Sequence, residues 1–305
     1  MGHSRGLQQV IQLARKVAVT DVPVLLTGET GTGKEVFAQA IHNGSARAKQ
    51  PFVAINCSAF SKELLESEIF GHKAGAFTGA LKDKKGLFEE ANHGTIFLDE
   101  IGEMAYGLQA KLLRVLETGE YIKVGDTKPT KIDVRIVSAT NRNLKEEIAN
   151  SNFREDLYFR LSVFHLHLPP LRERREDIPE LAAAFLKFFA AKMGKQVKGF
   201  AADCQAWMQS YAWPGNVREL RNVIERALII CDDYITLDDM PLDFRSSTLS
   251  GSAADGDDFE LAEAEHRHIQ RVLQYTKGNK AEAARLLKIG LTTLYRKIEE
   301  YGINI

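Results

Sequence analysis

Apolar residues recur at Leu7, Val10, Ile11, Ala14 and Val17, the spacing of an amphipathic helix. Short apolar runs follow at 22–27, 52–55, 95–98, 134–139 and 163–168, and helical patterns or loops separate most of them. Runs of this kind are the strands of a parallel sheet covered on both faces, so residues 1–170 read as an α/β unit. Between the third and fourth runs, 120–124 and 130–134 flank a Gly125-Asp126 turn and predict an inserted β-hairpin. After Pro169-Pro170 the pattern turns helical, over 177–193, over 201–211, and from Pro214-Gly215 through Ile230. That predicts an α-helical lid over 171–243. Residues 244–258 lack apolar periodicity and are rich in Ser, Gly and Asp, the composition of a flexible linker. A last helical block, within 259–305, predicts a small all-α domain.

Composition narrows the function classes. The 305 residues carry a formal net charge of -1, so any nucleic-acid contact must be local rather than a general basic coat. No stretch resembles a signal peptide or a membrane span, and Lys187 breaks the most apolar helix, 181–191. The three cysteines, Cys57, Cys204 and Cys231, are widely spaced and form no CxxC, pointing to a reduced, cytoplasmic protein. His165 and His167 share one face of a strand, but the sequence offers no third metal ligand. His266 and His268 diverge on a helix and are expected in solvent.

The chemistry lies at the ends of the strands. Gly28-Glu29-Thr30-Gly31-Thr32-Gly33-Lys34 follows the first run and precedes a helix, the context a phosphate loop requires. Glycines let backbone N–H groups curl around phosphates, Lys34 neutralises them, and the helix N-terminus adds its dipole. Glu35 stands where Ser or Thr would offer Mg²⁺ a hydroxyl. The third run ends in Asp99-Glu100, at the carboxyl edge where ligands of such sheets sit. Asp99 would hold Mg²⁺, directly or through water, and Glu100 would polarise the attacking water. Asn141, at the end of the fourth run, either senses the γ-phosphate or simply forms a turn.

These residues resemble the AAA+ ATPases, and Gly75-Ala76-Phe77-Thr78-Gly79-Ala80 narrows the resemblance to the sigma-54-dependent activators, the bacterial enhancer-binding proteins. Phe70-Gly71-His72, GTIFLDEIGE (94–103), FREDLYFRL (153–161), LPPLRERREDI (168–178) and WPGNVREL (213–220) extend it over essentially the whole chain. The resemblance implies an ATP-hydrolysing ring, expected as a hexamer, whose 75–80 loop rises to engage sigma-54 and unlock the closed promoter complex. Phe77 and Thr78 would make the contact, and the hairpin would move with the loop. Arg154 and Arg160 match arginine fingers reaching a neighbour's nucleotide, with the γ-phosphate partner left open between them. Arg218 matches the sensor II arginine, and Asn56 a residue that restrains Glu100. The family tolerates Glu35, which shifts the metal role toward Asp99. The sequence is expected to open on this motor, with Gly2-His3-Ser4 as its first loop; either the natural protein has no receiver or sensory segment or the sequence is a fragment of a longer one.

From Lys277 to Ile298 six basic residues stand against one acidic, Glu282, a local positive stripe suited to phosphates. Asn279 is expected to cap a helix through Leu287, with Ala283 and Ala284 allowing close packing. Thr292 is expected to cap a second helix bearing Thr293, Tyr295, Arg296 and Lys297, the reading helix of a Fis-like helix-turn-helix. Leu291 occupies a place often polar in relatives. Such domains pair, which implies a palindromic enhancer site. A helical hairpin used only for dimerisation is the competing reading here. For the whole chain, a different AAA+ remodeller and a DNA-binding repressor with a structural ATPase core are the rivals. The 75–80 motif opposes the first, and the intact Asp99, Glu100, Arg154, Arg160 and Arg218 oppose the second.

Overall fold

The computed structural model describes residues 4–241, 261–276 and 278–303. The chain divides into two compact units, Met1–Arg245 and Ser246–Ile305. Gly2, His3, Lys277 and residues 242–260, which contain the whole linker 244–258, lie outside the described residues.

In the first unit, β1 (Val24–Thr27), β2 (Phe52–Asn56), β3 (Thr95–Asp99), β6 (Arg135–Thr140) and β7 (Phe164–His167) form one parallel sheet in the order β2-β3-β6-β1-β7. Alternation along β1 explains why both faces are covered. Val24 and Leu26 join the cluster of α1 (Arg5–Ala18) and α2 (Lys34–Asn43), while Leu25 joins the opposite cluster with Ile55, Leu98 and Leu112. Because β6 separates β1 from β3, the loops leaving β1 and β3 emerge one strand apart at the same edge.

Arg135, at the start of β6, is buried and donates to the carbonyls of Val17 and Ala18 at 2.9 and 2.8 Å. It closes the C-terminal end of α1, where free carbonyls and the helix dipole favour a cation. Burial nonetheless lowers its pKa.

The inserted hairpin is shorter than its pattern suggests: β4 (Glu120–Ile122) pairs with β5 (Pro129–Lys131). Val124 is drawn away, since its N–H donates to Gly71 and its carbonyl accepts from Lys73. Residues 132–134 lead directly into β6.

The lid consists of α8 (Ile178–Met193), α9 (Ala202–Ser210) and α10 (Asn216–Ile230), as the periodicity predicts. A two-residue parallel pair, β8 (Gly199–Phe200) with β9 (Tyr234–Ile235), was invisible to pattern because it is too short to alternate. Trp213 fills the lid core, its indole N–H donating to the Met208 carbonyl at 2.7 Å.

In the second unit, α11 (Leu261–Tyr275), α12 (Lys280–Leu287) and α13 (Leu291–Glu300) enclose Ile269, Leu273, Ala283, Ala284 and Leu294. Asn279 caps α12 as expected, accepting from Glu282 N–H at 3.3 Å. Thr292 does not cap α13: the helix starts two residues earlier than such a cap implies, at Leu291, with Gly290 at its N-cap and no side chain bonding the end. Nor is His266 simply solvated, because its ring stacks on Tyr301 at 5.4 Å.

Replacing Arg135 with Met keeps the apolar stem but takes its donor from the Ala18 carbonyl, while Val17 keeps the Thr20 N–H and hydroxyl at 3.0 and 2.8 Å. The unfolding free energy should fall by about 1–3 kcal/mol, read as a lower urea midpoint at constant m. An unchanged midpoint would mean that α1 needs no such closure.

Candidate nucleotide site, partner loop and DNA-reading helix

The turn after β1 takes its shape from glycine. Gly28, Gly31 and Gly33 have φ of 150°, 81° and 104°, and Gly33 sits at the N-cap of α2. Lys34, only 7% exposed, lays its Nζ against the Gly28 and Glu29 carbonyls at 2.8 and 3.3 Å. It makes no ion pair among the described residues. Burial lowers its pKa, while Glu100 and Asp99 pull it back up. A buried ammonium held only by carbonyls, close to two carboxylates, suits a polyphosphate with a divalent cation. Thr32 is buried, its hydroxyl donating to the Glu29 carbonyl at 2.8 Å. Glu35 is exposed on the first turn of α2.

Beyond β3, Asp99 accepts from the Glu100 N–H at 3.0 Å. Glu100 adopts the left-handed conformation, φ 51°, rare for a side chain of this type and a strain often found at functional positions. Its carboxylate accepts from the Asn141 N–H at 3.3 Å, and the Asn141 carboxamide donates to Thr30 Oγ1 at 3.0 Å. Asn141 therefore joins the β3 and β1 loops rather than merely turning the chain. Asn56 differs from expectation. Its side-chain oxygen accepts from Ser58 N–H and Oγ at 2.8 and 2.7 Å, so it is turned back on its own loop and does not hold Glu100.

Glu29 also differs. Its carboxylate is clasped by Arg172, at 2.8 and 2.5 Å, and by Asn216 Nδ2 at 3.1 Å. The Arg172 hydrogen bonds above all, then Asn216, lower its pKa to about 2. It ties the loop to the lid instead of facing phosphate. Arg218, on α10, lines a cavity of about 480 Å³ with Thr30, Gly215 and Asn222. A larger, mainly apolar cavity of about 920 Å³ has Leu7, Ile11, Gly33, Phe37, Leu181 and Val217 among its lining. Sequence reading missed this one, since its walls come from four distant segments.

Arg154 lies in the extended N-cap of α7 (Glu155–Leu161), outside the helix, so no helical angle relates it to Arg160. It pairs with Asp156 at 2.6 Å and lies over the Tyr106 ring. Arg160 reaches Glu117 at 3.4 Å. His165 and His167 both meet the Thr27 hydroxyl, at 2.7 and 3.2 Å.

The 75–80 loop is braced. The Gly75 N–H donates to Ala80, Asp83 accepts from the Ala74 N–H at 2.8 Å, and Gly125 of the hairpin turn packs on Ala76. Phe77 is 43% exposed, with one edge set against the His72 ring at 4.9 Å. His72 is in turn held by Ser67 at 2.7 Å. Thr78 and Gly79 are exposed and Ala80 is buried.

On α13, Thr292, Tyr295 and Arg296 are exposed and Thr293 half-buried. Leu291 is 43% exposed, and Lys280 lies over the Tyr295 ring at 5.2 Å. Lys297 is spoken for: Glu265 accepts from its Nζ at 2.6 Å and from Tyr301 at 2.8 Å, which raises the lysine's pKa. It braces α13 on α11 rather than joining the reading surface.

The sheet, phosphate loop and lid define an AAA+ ATPase. Residues 1–167 match the sigma-54 interaction domain, 172–256 the AAA+ ATPase lid domain, and 260–301 the Fis family of bacterial regulatory proteins. The chain belongs to the sigma-54-dependent transcriptional activators, with a Fis-type helix-turn-helix for DNA. It is 47% identical over 302 residues to the alginate biosynthesis regulatory protein AlgB of Pseudomonas aeruginosa, covering 99% of this chain and 67% of AlgB. It is 41% identical over 329 residues to the DNA-binding transcriptional regulator NtrC of Escherichia coli, covering 100% of this chain and 70% of NtrC. Among solved structures, NtrX of Brucella abortus in complex with ATP superposes with a TM-score of 0.74 at 35% identity, covering 99% of this chain and 69% of NtrX. Among the described residues no helix is long and apolar enough to cross a membrane.

Glu29 supplies a pH test of the loop–lid tie. Its folded pKa, about 2, lies below the ordinary 4.5, so its contribution is complete above about pH 4.5 and lost as pH falls through about 2. The melting-temperature gap between wild type and Glu29→Gln should be constant from about pH 8 to 5 and close below that. A gap that widens toward acid would contradict the pairing.

Proposed function

We propose that this chain hydrolyses ATP in a ring, expected as a hexamer, and uses the energy to remodel the closed complex of sigma-54 RNA polymerase into an open complex at enhancer-controlled promoters. The boundaries 1–170, 171–243, 244–258 and 259–305 divide it into nucleotide-binding, lid, linker and DNA-reading parts, acting in the cytoplasm. The observation that carries this reading is the buried Lys34 ammonium, held by carbonyls beside Asp99 and Glu100.

ATP enters with its phosphates on the 28–35 loop, contacting the backbone N–H groups and Lys34, while the apolar cavity beside Phe37, Leu181 and Val217 takes the base. Crystals of the relative NtrX with ATP support nucleotide as the ligand. A magnesium ion, when bound, would be held by Asp99, directly or through water, and would neutralise charge on the β- and γ-phosphate oxygens. Glu100 orients a water on the γ-phosphorus and takes up its proton as the bond to the β-phosphate oxygen breaks, giving ADP and phosphate. Asn141, bridging Glu100 and Thr30, relays the γ-phosphate's presence between them. Arg218 contacts the nucleotide of its own subunit. Arg154 and Arg160 reach the neighbour's phosphates, exchanging Asp156 and Glu117 for them, since exposed pairs are weak holds.

The change at this edge frees Phe77 from His72 and lifts the 75–80 loop, with the hairpin carried along through Val124 and Gly125, so that Phe77 and Thr78 grip sigma-54. Thr292, Thr293, Tyr295 and Arg296 read a palindromic enhancer, with Lys297 steadying the helix.

Glu100→Gln and Asp99→Ala should retain ATP binding yet lose about 10²-fold or more in hydrolysis, measured by phosphate release. Wild-type turnover in either would overturn those roles. Phe77→Ala should keep hydrolysis within about twofold while capture of sigma-54 with a transition-state mimic of ATP disappears, because the loop binds protein, not nucleotide. Undiminished capture would remove Phe77 from the contact.

A further inference from the structure

The lid grips the phosphate loop through its backbone. Three consecutive carbonyls of the loop are bonded from the lid side: Thr30 by Asn216 Nδ2 at 3.0 Å, Gly31 by Val217 N–H at 3.0 Å, and Thr32 by Arg174 Nη2 at 2.8 Å. A planar trans peptide sends its carbonyl and the following N–H in opposite directions. Fixing these carbonyls on the lid therefore aims the N–H groups of Gly31 and Gly33 away from it, toward the side on which Lys34 awaits an anion. The fit at Gly31 has no slack: a Cβ there would stand 2.3 Å from the Gly215 carbonyl oxygen.

Asn216 is the hub. It is fully buried at 0% exposure, and its carboxamide, besides a local bond to the Pro214 carbonyl at 3.4 Å, crosses between segments at both its oxygen and its nitrogen. The oxygen accepts from the Leu171 N–H at 2.7 Å, while the nitrogen reaches Thr30 O and the Glu29 carboxylate. Its backbone is left-handed, φ 54°, as is that of Trp213, φ 51°, three residues earlier. Both are held by partners outside the turn. Trp213 is anchored in the lid core, and Glu219 accepts from the Gly215 N–H at 2.7 Å. A strained turn fastened at one end to the lid core and at the other to the phosphate loop is a stiff linkage.

We infer that Asn216 is a positioning residue for nucleotide binding: it sets the peptide planes of the phosphate loop from the lid, so that lid placement and ATP affinity are one coupled equilibrium. Asn216 touches no reacting atom, and its effect passes through Glu29, Thr30 and Leu171. The inference rests on ATP being the ligand of the 28–35 loop.

The test uses the full chain with a fluorescent ATP analogue and steady-state hydrolysis. Asn216→Gly keeps the left-handed backbone without strain and removes only the carboxamide. It should raise the nucleotide Kd and the KM about tenfold or more, with kcat at saturation within about threefold, since a lost buried hydrogen bond to a charged acceptor is of this size. Asn216→Asp sets a second carboxylate against Glu29 and should be weaker still. Adding Glu29→Gln to Asn216→Asp restores the 29–216 donor–acceptor pair with the roles exchanged but leaves the Thr30 carbonyl without its donor, so it should recover part of the affinity lost in Asn216→Asp, which a merely structural role does not predict. Should Asn216→Gly fail to fold, Arg172→Gln, altered at an exposed position, should still raise KM about threefold.

Wild-type Kd and KM in Asn216→Gly, no rescue in the double variant, or an unaffected Arg172→Gln would each overturn the inference. A wild-type chain that binds no ATP at all would instead overturn the nucleotide reading beneath it.

Discussion

A buried lysine with carbonyls but no carboxylate to satisfy it sets the terms for the carboxyl edge of the sheet. Lys34 is desolvated by the same packing that closes α2 onto β1, and Asp99 and Glu100 favour its charged form only from nearby strand ends. An ammonium in that position gains most from an anion that arrives with its own counter-cation. The left-handed Glu100, the Asn141 bridge and the glycine conformations of the 28–33 turn all serve the same small volume. Their strain is tolerable because the sheet register fixes the strands from which they spring.

Two further linkages leave this edge in different directions. Toward the lid, hydrogen bonds to successive loop carbonyls and the Glu29–Arg172 pair make a polar hinge between two hydrophobic cores. Toward the partner loop, the route runs through Val124, which pairs with the strand-like segment at His72 instead of extending the hairpin. That exchange of partners packs Gly125 on Ala76, so the hairpin cannot shift without disturbing the 75–80 loop. Phe77 is neither buried nor free. An edge-on contact with one histidine is a weak hold, suited to being given up for a larger apolar partner.

The DNA-reading unit uses charge sparingly. One of the six basic residues of 277–298 is committed internally, where Glu265 and Tyr301 bind Lys297 and join α13 to α11. Leu291, Thr292, Tyr295 and Arg296 are exposed in the N-terminal part of α13, a mixture of apolar and polar groups with one firm cation, and Glu299 and Glu300 are exposed at its C-terminal end. The N-terminal part suits base edges, with phosphate contacts left to the flanking lysines of α12 and its turn.

Local pattern alone determined a great deal here. Five apolar runs, the glycine-rich turn, the Asp99-Glu100 pair, the three lid helices and the Asn279 cap are written in neighbouring residues, because periodicity and turn chemistry act over a few positions. The 75–80 string likewise carries its family resemblance in six adjacent residues. What only the tertiary structure decided were pairings across long separations. Glu29 stands in the phosphate loop, yet its carboxylate belongs to Arg172 and Asn216; Asn56 faces Ser58 rather than Glu100; Lys297 turns inward to Glu265. The apolar cavity drew on four segments, and the Asn216 carboxamide joins Leu171 to Glu29 and Thr30. A charged or amide side chain can reach several partners of similar energy. Which one it takes is settled by the packing of distant elements, and no local pattern records that.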